Sequence, residues 1–218
     1  MDGTVFDEAY AARSAPWVIG RPQPVVVELA RAGRFAGAIL DIGCGTGEHT
    51  VHLAALGHDV LGVDGSTGAI EQARAVAAER GVNARFARGD ALDLGSVDAG
   101  SGPRYDTVLD SALFHVFDAD DRARYVRSLR GACRPGAVVH LLALSDAGPG
   151  FGPQVSDVTI REAFGAGWRL ESLVPSSYRV AVLRPEHAAL LRRPIGDLVD
   201  LPAWQARIRR LWTEHADF

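Results

Sequence analysis

Residues 38–48 constrain the fold of this chain more than any other stretch. An apolar strand ends in Asp41, and three alternating glycines follow it: Gly43, Gly45 and Gly47. Glycine allows a tight backbone turn and close approach of a ligand, and the helix that begins after the turn directs unpaired N–H groups at that ligand. The stretch therefore predicts a strand–turn–helix unit that binds a nucleoside-bearing molecule.

The spacing of the glycines distinguishes two kinds of nucleoside ligand. A dinucleotide fingerprint, G-x-G-x-x-G, would need glycine where the chain has Glu48 or Thr50. Glu48 would also repel a pyrophosphate from the first turn of the helix. A zwitterionic ligand is more compatible with the stretch, because Asp41 can attract an amino group while the glycine amides face polar atoms.

Composition limits the other classes of function. With 218 residues, 47% of them hydrophobic and 23% charged, the chain suits one globular domain with a large core. The net charge is −4 without a clustered basic face, so neither nucleic acid nor an anionic membrane is an expected partner. All 23 positively charged residues are arginine, which excludes Schiff-base chemistry and a P-loop lysine.

Cysteine content and the start of the chain bear on its location. There are two cysteines, Cys44 and Cys133, and one lies in the glycine turn, so a disulfide framework is not indicated. The first eight residues are acidic, and no apolar run approaches the length that spans a membrane. These features predict a cytoplasmic protein. His49 and His52 share a helix face but lack a third ligand, so no metal site is predicted.

The order of elements predicts an α/β fold with a doubly wound, mostly parallel sheet. Strands and helices alternate up to Leu144, and residues 168–173 and 178–183 have the pattern of two closing strands. Beyond Arg184, a segment starting at Pro202 places apolar residues at helical spacing. We therefore expect one domain. Its parts are an N-terminal cap (1–35), a core (36–183) and a C-terminal helical extension (184–218).

Acidic residues end several of the predicted strands. Asp64 ends the second strand, at the distance from the glycine turn at which such an acid meets ribose hydroxyls in doubly wound folds. Asp90 follows the third predicted strand, and Asp110 ends the fourth. The carboxyl ends of parallel strands form the ligand-binding edge of an open α/β sheet, so these acids are expected to meet there. Asp64 could instead cap the next helix, for which Ser66 is also suited.

Three further side chains have a functional and a structural interpretation. Trp17 could cover the core or place its indole against a cationic group of a ligand. His115, between Phe114 and Val116, could be a packing residue or a general base. Phe151 lies in a glycine-rich loop that could be a lid or a surface connection.

The glycine turn resembles motif I of class I S-adenosylmethionine-dependent methyltransferases. With Pro16-Trp17, Gly20-Arg21-Pro22, Gly62-Val63-Asp64, Tyr105 to Asp110 and Gly152-Pro153, the chain resembles the thiopurine, halide and thiol methyltransferase superfamily. The resemblance implies a seven-stranded sheet, S-adenosylmethionine as donor and a small acceptor molecule. Thiopurine enzymes have arginine after the fourth-strand acid, whereas this chain has Ser111, so thiopurine-like substrates are not expected.

Residues and resemblance together define a candidate site. The predicted catalytic base is His115, and Phe114 and Phe151 are the predicted walls of the acceptor pocket. The predicted donor-binding residues are Trp17, Arg21, Asp41, Gly43, Cys44, Gly45, Thr46, Gly47, Asp64, Gly65, Ser66, Asp90, Ala91, Asp110 and Leu113.

The hypothesis from the sequence is methyl transfer from S-adenosylmethionine to oxygen, nitrogen or sulfur of a small aromatic or heterocyclic molecule. A regulator or sensor that binds the same nucleoside without catalysis is the alternative from another class. A nicotinamide-dependent oxidoreductase is a third. The sequence leaves the oligomeric state open.

Overall fold

The computed structural model describes residues 4–12, 14–97 and 104–212. The first and last residues of the predicted cap and extension, 1–3 and 213–218, lie outside these ranges. The α-helices of the described part are α1 (Thr4–Ala11), α2 (Pro24–Arg31), α3 (Glu48–Ala55), α4 (Thr67–Glu79), α5 (Ala119–Ala132), α6 (Asp157–Ala163) and α7 (Pro185–Leu191). The strands are β1 (Ile39–Ile42), β2 (Val60–Asp64), β3 (Arg85–Arg88), β4 (Tyr105–Ser111), β5 (Cys133–Leu144), β6 (Trp168–Ala181) and β7 (Leu198–Arg210).

All seven strands form one sheet in the order β3-β2-β1-β4-β5-β7-β6. The pairs among β1 to β5 are parallel, and β7 is antiparallel to both of its neighbours. This confirms the predicted doubly wound, mostly parallel, seven-stranded sheet. The strand order reverses between β1 and β4, and open sheets of this kind bind ligands at the carboxyl ends of the strands beside such a point.

The central strands are apolar on both faces because helices cover both sides of the sheet. All four residues of β1 are buried, and so are six of the seven residues of β4. Leu40, Val108 and Leu141 from three adjacent strands belong to the largest hydrophobic cluster. The strand ends are therefore fixed by a packed core, and the side chains that follow them are held in defined positions.

Ser66, and not Asp64, caps the helix that follows β2, so the Asp64 carboxylate is available for other contacts. The Ser66 hydroxyl oxygen accepts a hydrogen bond from the N–H of Ala69 at 3.2 Å, which makes Ser66 the N-cap of α4. Asp118 and Ser156 cap α5 and α6 in the same way.

The C-terminal segment differs from the prediction. The predicted helix from Pro202 is strand β7, and the two predicted strands at 168–173 and 178–183 are the single strand β6. In the described part of the extension, only Pro185–Leu191 is α-helical. The helical interpretation was wrong because β7 buries opposite faces in its two halves, Leu201 and Ala203 in one hydrophobic cluster and Ala206 and Ile208 in another, so its apolar residues do not follow a single period of two.

Among the described residues, no helix combines the length and the apolar character needed to cross a membrane.

Candidate active site

A cavity of about 880 Å³ lies at the edge of the sheet where β1, β2 and β4 end. Its walls come from distant parts of the chain: α1 and the segment before α2, the turns after these strands, the loop before α6, and α7. Most of the predicted site residues line it, namely Trp17, Gly43, Cys44, Gly45, Thr46, Asp64, Gly65, Ser66, Asp90, Ala91, Leu113, His115 and Phe151. Five predicted residues do not line it, namely Arg21, Asp41, Gly47, Asp110 and Phe114.

The three glycines of the turn all have positive φ, between 53° and 82°, a region that other residues rarely adopt. The space around them differs. A Cβ on Gly43 would lie 3.0 Å from Leu113 Cβ, and one on Gly45 would lie 2.8 Å from the Tyr10 hydroxyl. A Cβ on Gly47 would lie 2.8 Å from Ala73 Cβ, so Gly47 permits packing of α3 against α4 and does not form part of the cavity wall.

Asp64 is held rigidly beside the glycine turn. Its two carboxylate oxygens accept hydrogen bonds from the N–H of Gly45 and of Ser66, both at 2.9 Å. Burial raises the pKa of Asp64, and the hydrogen bonds from Ser66 and Gly45 oppose that rise. Because each oxygen retains a second lone pair, a carboxylate fixed in this way can still accept from ligand hydroxyls.

Asp90 has the same kind of local support. Its Oδ1 accepts a hydrogen bond from the N–H of Leu92 at 2.8 Å and caps the 3-10 turn Ala91–Ser96. Asp90 and Ala91 line the cavity together with Gly65, just after the end of β3. This placement leaves the second oxygen of Asp90 available to a ligand amino or hydroxyl group.

Trp17 forms an aromatic cluster with residues of α1. Its indole Nε1–H donates to the Tyr10 hydroxyl at 3.0 Å, and its ring makes edge contacts with Phe6 and Tyr10. Trp17 is half-buried and lines the cavity, whereas Tyr10 is 5% exposed. The cluster closes the cavity over the glycine turn, so Trp17 both covers the interior and presents an aromatic surface to a ligand.

Asp41 does not occupy the position predicted from the motif. It is buried beneath the turn, and its Oδ2 accepts a hydrogen bond from the Thr50 hydroxyl at 2.5 Å. Burial raises the pKa of Asp41 to about 7. The side chain ties β1 to α3 and does not line the cavity, so the expected direct contact with a ligand amino group stays a prediction that this geometry does not support. The same holds for Arg21, which is exposed and lies outside the cavity wall.

Asp110 and Phe114 also have structural positions. Asp110 is fully buried, and its carboxylate accepts from the Tyr125 hydroxyl at 2.7 Å and from the N–H groups of Leu113 and Phe114. Phe114 is fully buried and packs against Phe164, with ring centroids 5.8 Å apart. Both were predicted to contact ligands, and these contacts stay predictions. In this structure Asp110 supports the backbone turn after β4 from below, and Phe114 fixes that turn to the core.

His115 lies on this turn and lines the cavity, with 6% of its surface exposed. Its Nδ1 accepts a hydrogen bond from the N–H of Leu144 at 3.0 Å. Burial lowers the pKa of His115 to about 4, so the ring is neutral at pH 7. The packing and functional interpretations of His115 therefore coexist, because one ring nitrogen is anchored to β5 while the residue faces the cavity.

Phe151 covers the far side of the cavity. It is 8% exposed, and its ring contacts the His187 ring of α7 edge-on with centroids 4.9 Å apart. Gly150, Gly152 and Pro153 of the same loop also line the cavity. The glycine-rich loop is thus part of the wall and is not a remote surface connection.

Several lining residues were not predicted. Glu48 and His49 follow the glycine turn, and their position next to motif I was a usable signal. Glu48 accepts from the Thr46 hydroxyl at 2.7 Å, while His49 Nε2 accepts from the N–H of Gln23 at 3.1 Å. No local signal marked Tyr10, Ser111 or Tyr178, because they reach the cavity through the packing of distant segments.

Within the described ranges, no group of three or more His, Cys, Asp or Glu residues is arranged to hold a metal ion.

Comparison with known proteins identifies the family. The family described as a methyltransferase domain matches residues 39–136. A 2-heptyl-1-hydroxyquinolin-4(1H)-one methyltransferase of Mycobacteroides abscessus is 36% identical over 174 residues, which are 78% of this chain and 74% of that protein. The chain is a class I S-adenosylmethionine-dependent methyltransferase.

Solved structures agree with this assignment. A protein studied in the conversion of a disulfide bond into a thioacetal group during echinomycin biosynthesis has a TM-score of 0.84 and 38% identity, and the match covers 97% of this methyltransferase and 94% of that chain. A magnesium protoporphyrin IX methyltransferase of Synechocystis PCC 6803, solved with bound S-adenosylmethionine, shares the fold at 18% identity (TM-score 0.60; 85% of this chain and 76% of that one).

The subgroup resemblance is weaker than the resemblance to the class. A probable thiol methyltransferase of Arabidopsis thaliana is 26% identical over 132 residues, 60% of this methyltransferase and 57% of that protein.

The cavity residues suit the donor that the class uses, S-adenosylmethionine. Asp64 and Asp90 offer carboxylate oxygens to the hydroxyl and amino donors of a nucleoside, and Trp17 offers an aromatic face to a sulfonium.

Proposed function

We propose that this methyltransferase transfers the methyl group of S-adenosylmethionine to a heteroatom of a small, fused-ring aromatic or heterocyclic molecule. The size and character of the cavity are the main support. At about 880 Å³ it lies near the upper end of the range of roughly 300–1,000 Å³ found for ligand pockets. Such a volume suits the donor together with a second, flat molecule.

In our proposal the cavity has two parts: Asp64, Asp90 and the glycine turn hold the nucleoside, and the acceptor lies beyond Leu113. The residues around that second part are mainly apolar, with Leu144, Phe151 and Val180 among them. Apolar and aromatic walls favour a planar hydrophobic acceptor over a sugar or a peptide.

The relatives support this acceptor class. The Mycobacteroides abscessus protein is named for a bicyclic heterocycle that carries a hydroxyl group. A sulfur acceptor is a second candidate, because the similar protein from echinomycin biosynthesis was studied in the conversion of a disulfide bond into a thioacetal group. We therefore include both oxygen and sulfur nucleophiles on an aromatic or heterocyclic frame.

Alignment and exclusion of water account for the chemistry in this proposal. The methyl group moves from a sulfonium to a lone pair in line with the leaving sulfur, and the transition state disperses positive charge. Orientation of the two reactants can supply about 7–11 kcal/mol of the barrier in well-aligned systems. The aromatic cluster around Trp17 on one side and Phe151 on the other would exclude water from the reacting groups.

Incubation with donor labelled in its methyl group tests the function. The acceptor panel contains a 1-hydroxyquinolin-4-one, 8-hydroxyquinoline, 1-naphthol, thiophenol and, as a non-aromatic control, glucose. We expect label in at least one aromatic product and none in glucose. Binding of S-adenosylhomocysteine by calorimetry without transfer to any aromatic compound would contradict the proposed acceptor class.

The donor half of the proposal has its own test. We expect Asp64→Ala to weaken S-adenosylhomocysteine binding by about 10-fold to 100-fold, since one or two charge-assisted hydrogen bonds to the ribose are lost. Asp59→Ala is the matched control, because Asp59 directly precedes the same strand at its other end and pairs with Arg85 on the surface. Equal affinity of Asp64→Ala and the unmodified enzyme would contradict the ribose assignment.

A further inference from the structure

Three polar side chains, Ser111, His115 and Tyr178, line the part of the cavity that the proposed function assigns to the acceptor. They come from the end of β4, the turn after it, and β6. The role that we infer for them rests on the proposed function and concerns which acceptors the enzyme selects.

The hydrogen bond of His115 determines which of its nitrogens carries the proton. Nδ1 accepts from the N–H of Leu144, so Nδ1 has no hydrogen of its own. A neutral imidazole has one N–H, which must then be on Nε2. Among the described residues, Nε2 has no hydrogen-bond partner. His115 can therefore donate a hydrogen bond from Nε2–H to a ligand in the cavity.

This arrangement conflicts with the base that the sequence suggested. A proton taken up by His115 would have to bind at Nδ1, because Nε2 already carries one. That protonation would break the hydrogen bond from Leu144 and would direct Nδ1–H at the Leu144 N–H. Burial already disfavours the charged ring and lowers the pKa of His115 to about 4. No charged neighbour contributes to that shift, so no carboxylate stabilises an imidazolium here.

Ser111 supplies a second unsatisfied group. Ser111 is 9% exposed, and its hydroxyl oxygen is buried without a hydrogen-bond partner among the described residues. Ser111 lies close enough to the Tyr178 hydroxyl to oppose the rise that burial causes in the pKa of Tyr178, yet no hydrogen bond of good geometry reaches the Ser111 oxygen. Buried polar groups in native proteins nearly always have partners, so an unpaired hydroxyl in a cavity wall indicates a polar atom of a ligand.

We propose that His115 is a positioning residue whose Nε2–H donates a hydrogen bond to a lone pair on the acceptor beside the atom that is methylated, with the Ser111 hydroxyl as a further polar group of the same wall. The enzyme then selects aromatic hydroxyl or thiol compounds that carry a ring nitrogen, carbonyl or similar acceptor group next to the nucleophile. In the reaction, the nucleophile forms a bond to the methyl carbon, and the methyl–sulfur bond breaks with its electrons remaining on the donor sulfur. The acceptor gives up its proton to bulk water outside the closed cavity, and His115 keeps its own.

A pair of acceptors with the same shape tests the selectivity. 8-Hydroxyquinoline has a ring nitrogen beside its hydroxyl group, and 1-naphthol has a C–H in that place. An unpaired buried donor costs about 1–3 kcal/mol, so we expect kcat/KM for 8-hydroxyquinoline to exceed that for 1-naphthol by about 5-fold to 150-fold. Equal values for the two compounds would overturn the inference.

Two substitutions separate the roles of the two ring nitrogens. His115→Asn keeps an acceptor close to the position of Nδ1 for Leu144 but removes the distal donor, whereas His115→Gln keeps a donor close to the position of Nε2. We expect His115→Asn to abolish the preference for 8-hydroxyquinoline and His115→Gln to retain a large part of it. Both should bind S-adenosylhomocysteine like the unmodified enzyme, which serves as the check on folding.

Other outcomes would overturn the inference in different ways. If His115→Gln loses as much turnover as His115→Asn with both acceptors, His115 is a base and the inference fails. If His115→Asn retains the preference, the donor role fails. Turnover of other compounds of the panel but of neither bicyclic phenol also counts against the inference. Absence of transfer to every aromatic compound rejects the proposed function itself, which the labelled-donor assay reports separately.

Discussion

At the scale of single residues, the three glycines of the turn have the same backbone conformation for different reasons. Gly43 and Gly45 face Leu113 and Tyr10 at the wall of the cavity, whereas Gly47 faces Ala73 and the Phe86 ring in the interior. The sequence shows only that all three positions need glycine. Which of them serves the ligand and which serves packing depends on what lies opposite each absent Cβ.

Substitution of Gly47 should therefore destabilise the fold through a steric clash. Gly47→Ala places a Cβ within 2.9 Å of both Ala73 and Phe86 at a φ of 82°. Gly57→Ala is a matched control, because Gly57 has a φ of 86° and nothing within 4 Å. We expect Gly57→Ala to lower the free energy of unfolding by about 1–2 kcal/mol for the left-handed backbone and Gly47→Ala by about 1–3 kcal/mol more. Equal losses in urea denaturation would contradict the packing role.

At the scale of elements, the C-terminal segment shows the limit of reading periodicity. Ile208 pairs with Val139 of β5 and Leu170 of β6, and it is fully buried in the middle of the sheet. In the sequence, Ile208 stands three and four residues before Leu211 and Trp212, which matches a helix. The buried positions of β7 change from odd (Leu201, Ala203) to even (Ala206, Ile208) along the strand, so its apolar residues do not keep one period of two.

The strand assignment predicts unequal effects for residues that a helix would place on one face. Ile208→Ala should lower the free energy of unfolding by about 2–5 kcal/mol, because it removes buried methyl groups and leaves a cavity. Leu211 is 36% exposed beyond the end of β7, so Leu211→Ala should cost less than about 1 kcal/mol. Denaturation of both variants in urea measures the difference. Similar losses for the two would favour the helix that the sequence suggested.

At the scale of the whole molecule, the cavity joins segments from α1 to α7. An ionisable side chain, Asp41, lies in the interior and ties β1 to α3. Asp41 is buried with its pKa raised to about 7, far above that of an unfolded aspartate. A folded-state pKa above the unfolded value means that the folded protein binds more protons between these values. The free energy of unfolding then falls as the pH rises from about 4 to 7.

Removal of this titration should change the pH dependence of stability. Asp41→Asn keeps an oxygen for the Thr50 hydroxyl but cannot ionise. We expect the stability of the unmodified enzyme, relative to Asp41→Asn, to decrease between pH 4 and pH 7 and to be constant above about pH 8. Urea denaturation at several pH values measures this difference. Asp59→Asn on the surface is the control, and parallel curves for Asp41→Asn and the unmodified enzyme would refute the prediction.

Much of the molecule was predictable because the information is local. The glycine turn, the strand that precedes it and the acids at the ends of β2 and β3 are marked by neighbours in sequence, and they indicated the fold class, the donor and the edge of the sheet where the cavity lies. The roles of Asp41, Asp110 and Phe114 were not predictable in this way. Each of them lies near a strand end as a ligand-binding residue would, yet its side chain points below the turn and into the core.

The sequence by itself determined a doubly wound nucleoside-binding fold, since strand, turn and helix signals act over a few residues, and its resemblance to motif I indicated the S-adenosylmethionine-dependent class. Only the tertiary structure decided which nitrogen of His115 accepts a hydrogen bond from Leu144 and that the last described strand is inserted between β5 and β6. The physical reason is the same in both cases. The hydrogen bond from Leu144 and the pairing of both edges of β7 depend on segments far away in the chain, whose approach no local pattern encodes.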